Sequence, residues 1–554
     1  MVSIYYVSGI GNDTNDGLNP QNPLRTIQKA ADLTHPGDIV YVMNGVYTND
    51  NPFDNIVTIK NSGTADAWIT YQAYPGHTPK LESKNWHGIS IQGAAYIIID
   101  GFEIEGNNNN ITLQEAIAQQ SDLNNPLTSG NGIGVDSSFT DNSLRSHHII
   151  IRNNIVYNCG GGGIYSIYAD YVTVSNNIVH DNGWYAPYGC SGISNYQNWN
   201  SDDNIDYKMI IQGNTVYDNQ NLIPFYVERA ITDGNGIIID DSRNTQGKSD
   251  LGVYQGKTLV ENNVVYNNGG RGIHVYKSDL VDIVNNTTYQ NSQHVDLTPG
   301  EITAIDSSHV RVINNIMVTE SGTPANNTYG STNVIYDYNL VVNAKFLSYS
   351  GTHNIFGNDP AFTNPSIGDF SLKENSAAIN AGTHTLAASK DIFGNSRSIE
   401  FGIDIGAFET LVSYRSLSTK STNPTNLTLN GKRGNDLLIG GDGNDRLVGG
   451  NGDDVLLGQD GNDQLRGGRG SDKLIGGLGC DLLFLNKGKG RDIVSHFEDT
   501  RDRFVLPYGV RFKTLEIRQM GHHTLISSIS SGIDPLALLI GVHANNITAV
   551  DFIK

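Results

Sequence analysis

Over the first four hundred positions, apolar residues come in runs of three to five or alternate with polar ones, and many runs close on a pair of amides. IIIRNNIVYN (first amide Asn153), VTVSNNIVHDN (Asn176), LVENNVVYNN (Asn262), VDIVNNTTYQN (Asn285) and VRVINNIMV (Asn314) share this form. IIQGNTVYDN puts Gly213 in the first-amide place, and IIIDGFEIEGN around Asp100 is a further copy. Asn153 to Asn176 and Asn262 to Asn285 are both 23 residues. A short strand, a small turn and a second strand at this repeat length predict the rungs of a right-handed parallel β-helix. A β-propeller is the competing architecture, but its blades repeat at about 40 residues or more. Asn tolerates the left-handed backbone and its amide both donates and accepts, so pairs at rung corners predict tight turns and inward amide ladders.

A second, stricter period follows. From Gly431 the chain reads GKRGNDLLI, GGDGNDRLV, GGNGDDVLL, GQDGNDQLR, GGRGSDKLI, GGLGCDLLF, six nonapeptides in unbroken register. Asp436, Asp445, Asp454, Asp463, Asp472 and Asp481 occupy the sixth place, and an apolar residue follows two places later, from Leu438 to Leu483. Glycines permit the turn and expose carbonyls, while each Asp supplies an anionic oxygen. Stacked turns therefore build oxygen cages suited to Ca²⁺, with the apolar residue filling the core between two sheets. A flexible Gly/Asp linker would not keep a strict apolar period.

Composition narrows the class. The chain has 554 residues, 62 of them Gly, with 38% hydrophobic and 17% charged residues. Helix-forming runs are scarce, so the fold class is all-β: a right-handed parallel β-helix followed by a calcium-binding parallel β-roll. The formal net charge of −21 argues against nucleic acid as a partner, because phosphate contacts need Lys and Arg stripes. No run approaches eighteen apolar residues, so no membrane insertion is expected. Cys159, Cys190 and Cys480 are too few and scattered for a disulfide framework and read as small buried hydrophobes. The opening MVSIYYVSGIGNDTNDG lacks the basic and apolar regions of a cleavable leader.

The nonapeptides resemble the RTX repeats of bacterial proteins exported by type I secretion, and Gly488–Leu506 looks like their usual flank. That resemblance implies repeats that fold on meeting extracellular calcium, an export signal at the extreme C-terminus, and the type I machinery as a partner. Val7–Tyr47 resembles the N-terminal cap of β-helix polysaccharide-active proteins, with Thr26–Leu33 as a capping helix and PGDIVYVMNGVY as the first rung. DFSLKENSAAINAG (Asp369–Gly382) and DIGAFE (Asp404–Glu409) look like a closing element. The expected organisation is a β-helix with its cap over 1–410, a linker over 411–430, the roll over 431–490, and a cap with export signal over 491–554. A secreted monomer acting on an acidic polysaccharide is the corresponding expectation.

Two gaps break the 23-residue period, 37 residues from Asn176 to Gly213 and 49 from Gly213 to Asn262. Loops inserted on a rigid solenoid are an ordinary place for a site, and these carry Trp184, Tyr185, Tyr188, Tyr196, Trp199, Phe225 and Tyr226. Aligning the recurring Gly-Ile segments places Ile133, Ile164, Ile193, Ile237 and Ile273 inward. Period two then sends Asp136, Tyr165, Tyr196, Asp240, His274 and Tyr276 outward on one strip. One place further, at the turn, stack Ser137, Tyr168, Gln197, Asp241 and Lys277. Rungs lie about 4.8 Å apart, which puts Asp240, Asp241 and Lys277 within side-chain reach.

Two chemistries compete for this strip. In one, Asp240 and Asp241, with Asp233, Asn244 or Asp136, hold a Ca²⁺ that binds a uronate carboxylate. Lys277 removes the C5 proton, Arg271 steadies the enolate, and His274 or Tyr276 protonates the leaving oxygen. This arrangement resembles the calcium-dependent, lysine-base polysaccharide lyases of the family nine pectate-lyase type, although Asn244 stands where a further Asp is expected. Tyr165, Tyr196, Trp184 and Trp199 are the expected sugar-stacking residues. In the other, Asp233, Asp240 and Asp241 are acid and base of an inverting hydrolase. TDG (Thr232–Gly234) and IDD (Ile239–Asp241) match the polygalacturonase-type pattern in part, GRGIH (Gly270–His274) replaces its GHG, and its RIK is absent. A carbohydrate-binding adhesin is a third reading. The YDPHE-type motif of alginate epimerases does not occur, so elimination ranks above epimerisation.

Overall fold

The computed structural model describes residues 2–553 apart from 139–140, 248, 298–299, 358, 374, 398–401, 411–414, 419–425, 488–489, 496, 521–522, 530–533 and 541. Two compact units result, Met1–Thr410 and Leu411–Lys554. Most of the linker expected over 411–430 lies outside the described residues. No helix among the described residues is long and apolar enough to cross a membrane.

The first unit is a three-faced parallel β-helix. Its rungs stack in strict register, so Ile133, Ile164, Ile193, Ile237, Ile273 and Ile302 are successive partners along one sheet. All six are buried in a single core with the Val and Ile residues of the other faces. Each buried aliphatic side chain contributes about 1.5–3 kcal/mol, and the stack repeats that gain at every rung. The strand Ile164–Ser175 runs unbroken round one corner and joins two of the faces, while a third sheet holds eleven strands. At the N-terminus the expected capping helix forms over Ile27–Leu33, with Thr26 accepting from the Lys29 amide.

The paired amides divide their labour. The first member, Asn153, Asn176, Asn262, Asn285 or Asn314, takes the left-handed backbone with φ between 53° and 58°, and Gly213 does so at 66°. The second member points inward. Asn154, Asn177, Asn214, Asn263, Asn286, Asn315 and Asn339 form a ladder in which each side chain donates to the Oδ1 of the next. The same Oδ1 also accepts a backbone N–H, and each Nδ2 reaches a backbone carbonyl besides, so every buried donor and acceptor is satisfied.

The expected closing element lies along a flank instead of over an end. Phe362, Phe370, Ala378, Ile405 and Ala407 pack with Val264, Ile316 and Leu340 of the third sheet. Asn262, Asn285 and Asn314 donate to carbonyls of Lys390, Asp404 and Thr383, so the left-handed corner amides moor this returning chain.

The second unit is a two-sheet parallel roll. Alternate nonapeptides fall on opposite sheets, pairing Leu438 with Leu456 and Leu474, and Leu447 with Leu465 and Leu483. These six leucines form its core. The strands Asp492–Ser495 and Arg503–Val505 add one turn to each sheet beyond the nonapeptides.

Candidate active site

The site is built on the sheet defined by the buried isoleucine stack. With those side chains inward, the alternate positions face out in two rows. One row carries Ser90, Gly134, Tyr165, Ser194, Ile238, His274 and Thr303, and the other carries Gln92, Asp136, Ile167, Tyr196, Asp240, Tyr276 and Ile305. Beyond the second row the backbone turns, and Tyr168, Gln197, Asp241, Lys277 and Asp306 all adopt φ between 46° and 54°. The corner stack anticipated from Tyr168 to Lys277 is therefore a row of left-handed residues.

A cavity of about 930 Å³ stands on the two rows. Tyr165, Tyr196, Ile238, Asp240, His274 and Tyr276 floor it, and the inserted loops wall it with Tyr188–Cys190 and Phe225, Glu228 and Ala230–Asp233. Gln246 enters from the loop after Asp241, and Arg271 from the turn before His274. Trp184 and Trp199 lie elsewhere. The Trp184 indole donates to the Asp218 carbonyl beside the small core of Ala116, Tyr185 and Ile223. The Trp199 indole donates to the Ser146 carbonyl with Arg145 over its ring.

The electrostatics of the floor follow from burial. Desolvation pushes the Asp240 carboxyl up to about 8, helped by the charges of Asp233 and Asp241, while Gln246 and Lys277 oppose the rise. Asp240 is therefore mostly uncharged at pH 7. Burial also raises Asp233, against hydrogen bonds from Thr232 and Asn235 and the Arg271 charge. His274 is held well below its ordinary value by burial and then by Arg271, so its imidazole is neutral. It shares a 2.6 Å hydrogen bond with the Thr303 hydroxyl and stacks on Tyr276. The Arg271 Nη1 donates to the Thr232 carbonyl at 3.2 Å, whereas its buried Nε has no partner among the described residues. Lys277 does not line the cavity. Its Nζ lies 5.0 Å from the centroid of the Tyr276 ring, close enough to Asp240 for its charge to be felt there.

Towards the N-terminal rungs the floor continues as a hydrogen-bonded chain that the sequence did not suggest. The Tyr165 hydroxyl donates to Asp136 Oδ1 at 2.7 Å and meets His87 Nε2, while Ser90 donates to Asp136 Oδ2. Gly134 permits this, because a Cβ there would stand 2.6 Å from the Tyr165 hydroxyl. The tyrosine thus reaches across the preceding rung and is fixed at its far end.

The oxygens of the expected ion ligands are largely engaged within the protein. Among the described residues no three His, Cys, Asp or Glu side chains converge on one point. Asp136 is engaged as above. Asp241 accepts from the Thr245 amide and hydroxyl, the Gln246 amide and the Gln197 side chain. Asn244 donates to the carbonyls of Asn198 and Gly252. As placed, these three side chains do not supply the six to eight oxygens that a calcium ion takes.

The roll gives the opposite result. Backbone N–H groups of Asp436, Asp445, Asp454 and Asp463 donate to Oδ1 of the Asp eighteen residues on, but the buried Oδ2 atoms of Asp445, Asp454, Asp463, Asp472 and Asp481 have no partner among the described residues. Both carboxylate oxygens of Asp436 are likewise unmatched. Each of these five Oδ2 atoms sits against a glycine Cα (Gly440, Gly449, Gly458, Gly467 and Gly476), and beside the first three lies the carbonyl of the glycine eighteen residues on. Rows of unmatched anionic oxygens beside carbonyls fit Ca²⁺.

Comparison with known proteins assigns each unit to a known family. Residues 5–304 match the family described as Pel9A-like, right handed beta helix region. Residues 428–456, 448–483 and 457–491 match the RTX calcium-binding nonapeptide repeat. No curated protein matches the chain. Among solved structures, pectate lyase Pel9A is 18% identical with a TM-score of 0.43, over 74% of this chain and 96% of that one. A rhamnogalacturonan lyase is 15% identical with a TM-score of 0.35, over 72% and 96%. The A-module of the Azotobacter vinelandii mannuronan C-5 epimerase AlgE6 is 15% identical with a TM-score of 0.37, over 60% and 89%. The chain belongs to the Pel9A-like right-handed β-helix family and carries RTX calcium-binding repeats behind that helix.

Proposed function

We propose that the β-helix unit cleaves a uronate-containing polysaccharide by β-elimination, and that the chain is exported by a type I route and works outside the cell, where calcium folds the roll. One observation carries the catalytic reading. Arg271, whose buried Nε–H has no partner among the described residues, lines the same aromatic-floored cavity as Asp240, a carboxyl group mostly uncharged at neutral pH. A chain with net charge −21 needs such a local arrangement to accept an anionic sugar. The guanidinium and the protonated Asp240 would hold the uronate carboxylate and stabilise the enolate as the C5 proton leaves. Lys277, on the corner beside Asp240, would take that proton, and Tyr276 with neutral His274 would return one to the C4 oxygen as its bond breaks. Tyr165 and Tyr196 would stack on sugar faces.

A second reading has its own support. Asp240 holds its proton up to about 8 with a second carboxyl group, Asp233, lining the same cavity, and an inverting hydrolase needs such a pair as acid and base. Pectic, alginate, glucuronan and glycosaminoglycan polymers separate the two, followed by ultraviolet absorbance and by reducing ends. Elimination yields an unsaturated, absorbing product. New reducing ends without absorbance would assign hydrolysis, and binding without either would leave a carbohydrate adhesin.

A further inference from the structure

The corner next to the cavity is where the family resemblance would put a divalent cation. Gln197 and Asp241 occupy equivalent left-handed positions on adjacent rungs, since Tyr196 pairs with Asp240. Asp241 is fully buried, and its carboxylate is already saturated. Oδ1 takes the Thr245 amide at 2.9 Å and hydroxyl at 2.8 Å, and Oδ2 takes the Gln246 amide at 2.6 Å and the Gln197 Nε2 at 2.6 Å. The Gln197 Nε2 has two hydrogens, and the second goes to the Gln246 carbonyl at 2.9 Å. A carboxylate oxygen and a backbone carbonyl, side by side and buried, are the pair that a hard cation would bridge. Here a neutral primary amide bridges them.

We infer that the Gln197 carboxamide stands in the place of a cation, so that the Asp240–Asp241 corner binds no divalent ion and the calcium requirement of the chain lies in the roll alone. The amide does the positioning work that an ion would do. It fixes the loop at Gln246, and the Gln246 side chain donates to Asp240 Oδ1 at 2.6 Å on the cavity floor. Gln197, Asp241 and Gln246 thus form a chain of hydrogen bonds ending on a group of the proposed site. Two oxygens nearby, Asn244 Oδ1 and Asp240 Oδ2, have no hydrogen-bond partner among the described residues, but two fall far short of the six to eight ligands calcium takes. The inference rests on the β-elimination reading only for what Asp240 does there. The ion count does not depend on it.

The test is the number of calcium ions bound by the full chain, measured by equilibrium dialysis, for the wild type, Gln197→Asp and Gln197→Asn. Replacing the amide with a carboxylate removes both N–H donors and supplies two anionic oxygens facing Asp241. Gln197→Asp should therefore bind one ion more than the wild type, and Gln197→Asn the wild-type number. An equal count for wild type and Gln197→Asp would overturn the inference. Should Gln197→Asp fail to fold, anomalous diffraction from calcium-soaked wild-type crystals decides. Ions confined to the roll support the inference, and an ion on Asp241 ends it. Neither measurement uses activity, so a failed lyase assignment would not be mistaken for a failed ion assignment.

Discussion

The two solenoids of this chain solve the same problem with different side chains, and the difference decides which corner ladder calls for a cation. Stacking turns of backbone leaves an inward polar ladder at the corner. In the β-helix that ladder is Asn154 to Asn339, where every amide accepts from one neighbour and donates to the next. In the roll it is Asp445 to Asp492, where Oδ1 accepts a backbone N–H but Oδ2 has no donor among the described residues. An amide carries donor and acceptor together, whereas a carboxylate only accepts. An amide ladder is therefore complete by itself. A carboxylate ladder must find protons or cations.

The largest effect should come from withholding the cation. Burial, with neighbouring carboxylates adding to it, pushes Asp454, Asp463 and Asp472 up to about 7 and Asp481 to about 6, and burial by itself raises Asp492 to about 7. A carboxyl whose folded value is raised favours the folded state below its unfolded value near 4, and that contribution is lost as pH rises through the folded value. Metal-free roll should therefore keep β structure near pH 5 and lose it by pH 8, where calcium restores it. Circular dichroism at both pH values, with calcium and with chelator, reads this directly. Metal-free structure that persists unchanged at pH 8 would contradict the ladder comparison. Asp463→Asn makes one rung amide-like, and should lower calcium affinity at least tenfold while raising metal-free stability.

Next in size are the proposed catalytic groups. Lys277→Ala should lower turnover by about 10²–10⁴-fold with the fold intact, the usual worth of a positioned base. Asp240 acts in its protonated form in either reading, so activity should fall as pH rises through about 8. Asp240→Asn should abolish that alkaline limb. It also separates the readings, because Asn can still donate a hydrogen bond to a uronate carboxylate but cannot release a proton. A loss of tenfold or less favours elimination, and a loss above a thousandfold favours hydrolysis.

A smaller effect, on stability alone, should follow at the helix ladder. Asn263→Ala removes the acceptor for the Asn214 amide and side chain and leaves the Ile211 carbonyl without its side-chain donor. The expected loss is about 1–3 kcal/mol per buried group left unmatched, with no response to calcium. Thermal unfolding with and without the ion checks both halves of that statement.

What the sequence disclosed follows the same line between local and distant partners. Repeats, corners and the outward strip are set by period and by residue type at each turn, so Asn153, the isoleucine stack, Tyr165, Tyr196, Asp240, His274 and Tyr276 were legible. Asp241 was not, because one step past Asp240 the backbone enters the left-handed region and turns that carboxylate into its own loop. Trp184 and Trp199 were misplaced for a related reason. Their partners, Asp218 and Ser146, lie 34 and 53 residues away in the chain, and only the stacking of rungs brings them near. Gln246 and Arg271 enter the cavity from loops and turns, where period says nothing about direction.

The smallest predicted change concerns the floor. Tyr165 can lie across the rung before it only because Gly134 has no side chain, and a Cβ there would stand 2.6 Å and 2.7 Å from the hydroxyl and ring carbon Cζ. The constraint is packing alone, since Gly134 sits in the regular strand Asn131–Asp136 and has no left-handed φ. Gly134→Ala should lift the ring, break its hydrogen bonds to Asp136 and His87, and leave Asp240, Arg271 and Lys277 untouched three and four rungs along. If Tyr165 supplies a stacking surface, the variant should raise KM several-fold with kcat unchanged, because stacking acts equally on substrate and transition state. A fall in kcat at constant KM would instead make the His87–Tyr165–Asp136 chain part of the proton chemistry. The contrast with the ladders would then extend to the cavity floor, where a tyrosine with both a donor and an acceptor partner could move a proton that an all-amide row cannot.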